Sequence, residues 1–138
     1  MYYIKLIMKN TIFKLTEHVY YFSLLVLLIL YLFPGSLIGY LLYGNLGQQP
    51  NLISNAIGTS INHLIFFSYI TILAMTVRLR AKNILTNYRF ILFISFVLEI
   101  SHLIIPNRAF EFYDLIANFT GVVIILLLNS FIKWRKHL

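Results

Sequence analysis

The chain has 138 residues, of which 60% are hydrophobic and only 11% charged, and its mean hydropathy is +0.84. That is the length of one domain with a composition that excludes an ordinary water-soluble fold and points to lipid as the solvent. The formal net charge is +7 and there is no cysteine; disulfide and thiolate chemistry are therefore excluded, and the charge must be judged from where the basic residues fall.

The first dozen residues place Lys5 and Lys9 four apart among Ile, Leu and Met. This spacing puts both on one helical face, as in a short interfacial helix on an anionic leaflet; a basic tail is the alternative. The first long apolar run covers about 15–33 and ends at Phe33-Pro34-Gly35 with no small-residue cleavage site, so it reads as a retained signal anchor.

An uncharged connection rich in Gly, Pro, Asn and Gln follows. Within it Leu37 to Tyr43 is too short to span and too apolar to float freely, which predicts an interfacial or re-entrant segment. The second run covers about 57–77, and a basic loop from Arg78 to Arg89 separates it from a short third run, about 90–105. Pro106-Asn107-Arg108 then forces a tight turn into the fourth run, about 110–132, so the last two helices form an antiparallel hairpin.

These runs predict a single all-α domain over 1–138 with four transmembrane helices. Lys5, Lys9 and Lys14 precede the first run, Arg78, Arg80, Lys82 and Arg89 surround the second connection, and Lys133, Arg135 and Lys136 follow the fourth. Ten of the eleven basic residues thus sit at alternate ends of successive helices, which by the positive-inside rule gives N-in/C-in topology. Topology accounts for the basic clusters, and nucleic acid is not expected as a partner.

Three of the four carboxylates lie between Glu99 and Gly121. An ionisable group at a helix centre in hydrocarbon costs at least about 2.5 kcal/mol, so such groups face the bundle interior, pair, or serve a function. Glu99 lies about 10 Å below the Pro106 turn and Asn118 about 12 Å below Phe110, at the same depth. His102 follows Glu99 at i, i+3, while Asp114 and Asn118 share a face at i, i+4. Gly121 continues that stripe and admits a close neighbouring helix. His63 opens the second span at the same outer end, with Arg108 above. His63, Glu99, His102, Arg108, Asp114 and Asn118 are therefore the candidate functional cluster.

Several roles remain open for this cluster. Arg108 suits an anion clamp or an ion pair with Asp114. Glu99 or His102 suits general acid–base chemistry. Glu99 and Asn118 suit helix pairing. A zinc site from His63, His102 and a carboxylate is open chemically, but H-E-x-x-H spacing is absent, and no metal or cofactor is assigned.

The pattern Glu99-x-x-His102, Pro106-x-Arg108 and Asp114-x-x-x-Asn118-x-x-Gly121 resembles the signature of the VanZ-like family of small bacterial membrane proteins: E-x-x-Q, P-x-R and D-x-x-x-N-x-x-G. His102 stands where the family has glutamine. The family's upstream D-K-x-x-H motif is echoed only by Asn62-His63, without the Asp-Lys pair. The resemblance implies a multi-pass protein of the bacterial cytoplasmic membrane. It also implies a binding or accessory role in the envelope, linked to glycopeptide antibiotics or to cell-wall and lipid processes. An anionic lipid, a lipid-linked saccharide or a polar antibiotic headgroup would be the partner at the outer leaflet. An intramembrane enzyme acting on lipid-borne headgroups and a structural partner subunit are the alternatives.

Overall fold

The computed structural model describes residues 2–50 and 58–136, with the side chains of residues 2–7 and 59 excepted. The expected helix start at Ile57, the 51–57 part of the uncharged connection and the Lys5 side chain lie outside the described residues. All regular structure among the described residues is helical: α1 (Tyr2–Leu32), α2 (Leu37–Tyr43), α3 (Gly58–Arg78), α4 (Tyr88–Ser101) and α5 (Phe112–Arg135).

In α1 no Gly or Pro interrupts the chain before Pro34, so helix propagates without a break for 31 residues. The expected separate interfacial helix is thereby corrected: the N-terminal residues extend the first long helix by about four turns instead of forming an element of their own. Within α1 the stretch Met8–Leu32 has the length and hydropathy of a membrane span.

The Leu37–Tyr43 segment is a capped helix of its own. The Ser36 hydroxyl accepts from the Gly39 N–H at 2.9 Å, and Gly44 closes the other end in the left-handed region at φ 68°. At seven residues it is about 10 Å long, too short to cross a bilayer, as expected. It is anchored where Gly39 meets the Gln48 carbonyl; a Cβ at position 39 would lie 1.6 Å from that oxygen, so only glycine fits.

In α3, Phe67, Ile70, Ala74 and Val77 are buried at helical spacing and form its core seam. α4 begins at Asn87, whose side chain caps the Arg89 N–H, and turns Ile91, Ser95, Leu98 and Glu99 inward. It is 14 residues long, shorter than the expected 90–105, because the backbone leaves the helix at His102 and passes through turns up to Asn107, which takes φ 58°. α5 then runs back, burying Asp114, Ala117, Asn118, Gly121 and Val122 along one stripe.

α5 packs chiefly on α3 and also on α4, while α1 closes the bundle against α3 and α4. Gly121 sets the α3–α5 distance: a Cβ there would lie 2.5 Å from the Leu64 carbonyl oxygen. In lipid, where burial of apolar surface does not drive helices together, such close backbone contact is what holds them.

Among the described residues three helices are long and apolar enough to cross a membrane: α1 over Met8–Leu32, α3 over Ser60–Arg78, and α5 over Phe112–Arg135. Phe22, Leu25, Phe93, Phe119 and Leu127 are exposed on the outside of the bundle, as expected of lipid-facing surface and not of a soluble monomer. The described residues are thus an all-α bundle with the composition of a membrane protein.

Arg78, Arg80, Lys82 and Lys133 gather at one end. Arg80 donates to Asn10 Oδ1 at 2.8 Å and lies over the Phe13 ring, and Arg78, Lys82 and Lys133 line one cleft. At this end the 79–87 connection is tied down by buried Thr86, which donates to the Ala81 carbonyl, and by the Tyr20 hydroxyl, which donates to the Leu85 carbonyl.

Candidate functional site

The polar residues meet at the opposite end of the bundle. Asp114 lies in the first turn of α5, near the positive end of the helix dipole, and accepts from the Ser60 hydroxyl through Oδ1. Its Oδ2 is 3.3 Å from His63 Nε2. The other imidazole nitrogen, His63 Nδ1, lies 2.6 Å from the Tyr31 hydroxyl, 3.2 Å from Asn118 Oδ1 and 3.9 Å from Glu99 Oε2.

Glu99 is fully buried and engaged on both oxygens. Oε1 accepts from the Glu111 backbone N–H at 3.3 Å and lies 3.3 Å from His102 Nδ1. Oε2 accepts from Asn118 Nδ2 at 3.4 Å. Glu99 and Asn118 are thus level across the α4–α5 hairpin, and His102 shares the face of Glu99, as their spacings predict. His63 reaches the same cluster from α3.

Arg108 departs from expectation. Among the described residues it makes no ion pair with Asp114; its Nη2 donates to the Leu30 carbonyl and its Nε to the Phe33 carbonyl at 3.4 Å. The reason is the end of α1: Pro34 stops the helix and leaves terminal carbonyls without helical partners, and the planar guanidinium satisfies two of them. Burial draws the Arg108 pKa down from its ordinary value, while Tyr31 and Glu99 nearby oppose that shift. Glu111, just before α5, has its carboxyl pushed up by partial desolvation and by Asp114 and Glu99, against the opposing pull of His63 and His102.

Tyr31 and Ser60 complete the cluster without any sequence motif that marks them. Tyr31 donates to Asn118 Oδ1 at 3.0 Å and stacks on the His102 ring at 5.3 Å. In the sequence it is one of ten tyrosines inside an apolar run, which reads as lipid-facing. Its only signal is depth: it sits at the end of the first span, level with His63.

A cavity of about 130 Å³ opens beside the cluster. Tyr31, Ser36, Asn62, His63, His102 and Arg108 form its polar part, while Leu27, Leu30, Leu37, Ile38 and Phe66 form its apolar part. Asn62 donates to the Pro50 carbonyl at 2.7 Å, but its Oδ1 and the Nε2 of His102 are buried without a partner among the described residues. Such orphaned buried groups are costly, and ordinarily a bound molecule or water satisfies them.

Three ligand atoms, one each from His63, Glu99 and Asp114, lie within 4.8 Å of one another. The sequence pairs His63 with His102 as candidate ligands; the structure turns His102 to the far side of Glu99 and puts Asp114 against His63 instead. Neither a family model, nor a curated protein, nor a solved structure matches the chain.

Proposed function

We propose that this chain is a VanZ-like binding protein of the bacterial cytoplasmic membrane that takes the polar head of an envelope amphiphile into the cavity beside Tyr31, His63 and His102. The observation that carries the reading is the division of that cavity into a polar part, with two unpartnered buried atoms, and an apolar part. A head group would satisfy the orphaned Asn62 Oδ1 and His102 Nε2, and an acyl or prenyl chain would lie against Leu30, Leu37 and Phe66. Guanidinium carries five N–H donors. With Arg108 spending two on carbonyls, the others remain for an anionic group such as a lipid phosphate or the carboxylate of an antibiotic.

The same reading gives the orientation. The basic residues at the far end support N-in/C-in topology, with α4 as a short fourth crossing in locally thinned bilayer and the cavity at the outer leaflet. A lipid-linked saccharide or an anionic lipid would reach it there from the membrane.

The test is thermal stabilisation of the detergent-purified chain by a panel of anionic, zwitterionic and saccharide-bearing lipids. The wild type should be stabilised by an anionic member of the panel, and His102→Leu or Asn62→Leu should weaken that response ~10-fold or more by removing a polar partner from the head group. Equal responses to all lipids, or no effect of either variant, would sink the reading.

A second reading rests on His63, which lines the cavity and is held between Asp114 and the Tyr31 hydroxyl. An imidazole oriented by a carboxylate is the arrangement of a general base. On this reading labelled envelope lipids incubated with the protein are converted in a His63-dependent manner.

A further inference from the structure

We propose that His63, Glu99 and Asp114 hold a divalent transition-metal ion of the Zn²⁺ or Mn²⁺ type. The inference does not depend on what occupies the cavity. It begins with the geometry around His63, both of whose ring nitrogens face oxygen: Nδ1 lies 2.6 Å from the Tyr31 hydroxyl and Nε2 lies 3.3 Å from Asp114 Oδ2. In the tautomer that carries its proton on Nδ1, toward the Tyr31 oxygen, the Nε2 lone pair faces a carboxylate oxygen, and a metal ion between the two would bind both.

The spacing suits a metal. Two ligands each about 2.0–2.1 Å from a tetrahedral Zn²⁺ are separated by roughly 3.3 Å. The third ligand atom, from Glu99, falls within the same 4.8 Å cluster.

The outer contacts are those that a metal site needs. Ser60 fixes the other oxygen of Asp114, the Tyr31 hydroxyl meets His63 Nδ1, and Asn118 and the Glu111 N–H hold Glu99. Charge points the same way. Two buried carboxylates share this cluster with the imidazoles of His63 and His102, while the hydrogen bonds of Arg108 are turned to the α1 carbonyls; a bound cation would add positive charge where buried carboxylates need it.

One imidazole and two carboxylates form a borderline-to-hard donor set that selects Zn²⁺, Mn²⁺, Fe²⁺ or Co²⁺ over soft Cu(I). His63 also lines the cavity, where His102 Nε2 is buried without a partner. Remaining coordination positions would open there, with room for water bound to both the metal and His102.

The experiment uses the full chain in detergent, stripped with chelator and then titrated with Zn²⁺, and with Co²⁺ as a spectroscopic probe. Expected are near-stoichiometric Zn²⁺ uptake by elemental analysis, a Zn²⁺-dependent rise in melting temperature, and visible Co²⁺ absorption of a low-coordinate N/O site. Asp114→Asn and Glu99→Gln, which conserve shape, should each weaken binding ~10–100-fold, and Ser60→Ala by the lower end of that range. His18→Ala, which removes an exposed imidazole on α1, should leave binding unchanged. If the wild type takes up no more Zn²⁺ than Asp114→Asn, or shows no thermal response to metal, the cluster is held by protons alone and the proposal fails. The wild-type measurement alone decides this should the variants not fold.

Discussion

At the residue scale the structure turns on Asn118, whose amide joins three helices. Its carbonyl oxygen takes the Tyr31 proton from α1 and its amino group donates to Glu99 on α4. Asn118→Leu would strand both partners in a buried setting, and each stranded group costs about 1–3 kcal/mol. The expected result is a lower thermal midpoint, whereas Glu99→Gln, which retains hydrogen bonding, should fold; equal stability of Asn118→Leu and wild type would show that the bundle does not depend on this amide. Glu111 offers a pH test. Its folded pKa is raised, so the folded chain holds that proton more tightly than the unfolded chain. The group therefore favours folding at pH below the ordinary glutamate pKa and opposes it as pH climbs through the raised folded value. Glu111→Gln should flatten the stability–pH curve on its upper side and raise the melting temperature slightly near neutrality.

At the scale of elements the α3–α5 contact is the most constrained. Alanine has higher helix propensity than glycine by about 1 kcal/mol, so on propensity alone Gly121→Ala should stabilise α5. The Leu64 carbonyl lies where the new methyl would go, and the backbone clash wins. The expected outcome is a destabilised chain, with Gly121→Leu worse still; a Gly121→Ala protein melting above wild type would refute the close approach. How far sequence reaches is also visible here. Helical spacing alone brings His102 under Glu99, Asn118 level with Glu99, and Gly121 to a tight interface, because those relations depend only on helical rise and period. The Arg108 contacts lay beyond reach, since they depend on where the carbonyls of a distant helix end, and so did Tyr31, whose hydroxyl is indistinguishable in sequence from those facing lipid. The unbroken α1 departs from the expected boundary because a change in charge gives helix propagation no reason to stop.

For the whole molecule the division of labour runs along the bundle axis. One end carries the basic cleft of Arg78, Lys82 and Lys133 and a connection pinned by Thr86 and Tyr20; the other carries the buried acids, His63, His102, Arg108 and the cavity. An apolar bundle needs no such cluster to fold, and interhelical hydrogen bonds in membranes average about 0.6 kcal/mol, too little to account for two buried carboxylates as glue alone. That gap is what motivates the proposed binding role. The most direct measurement is native mass spectrometry of the chain extracted gently from a bacterial membrane. The account predicts a retained amphiphile with an anionic head group, lost in His102→Leu and in Asn62→Leu variants that remain folded. A wild-type chain that emerges free of lipid, or one that carries the same lipids as both variants, would contradict it.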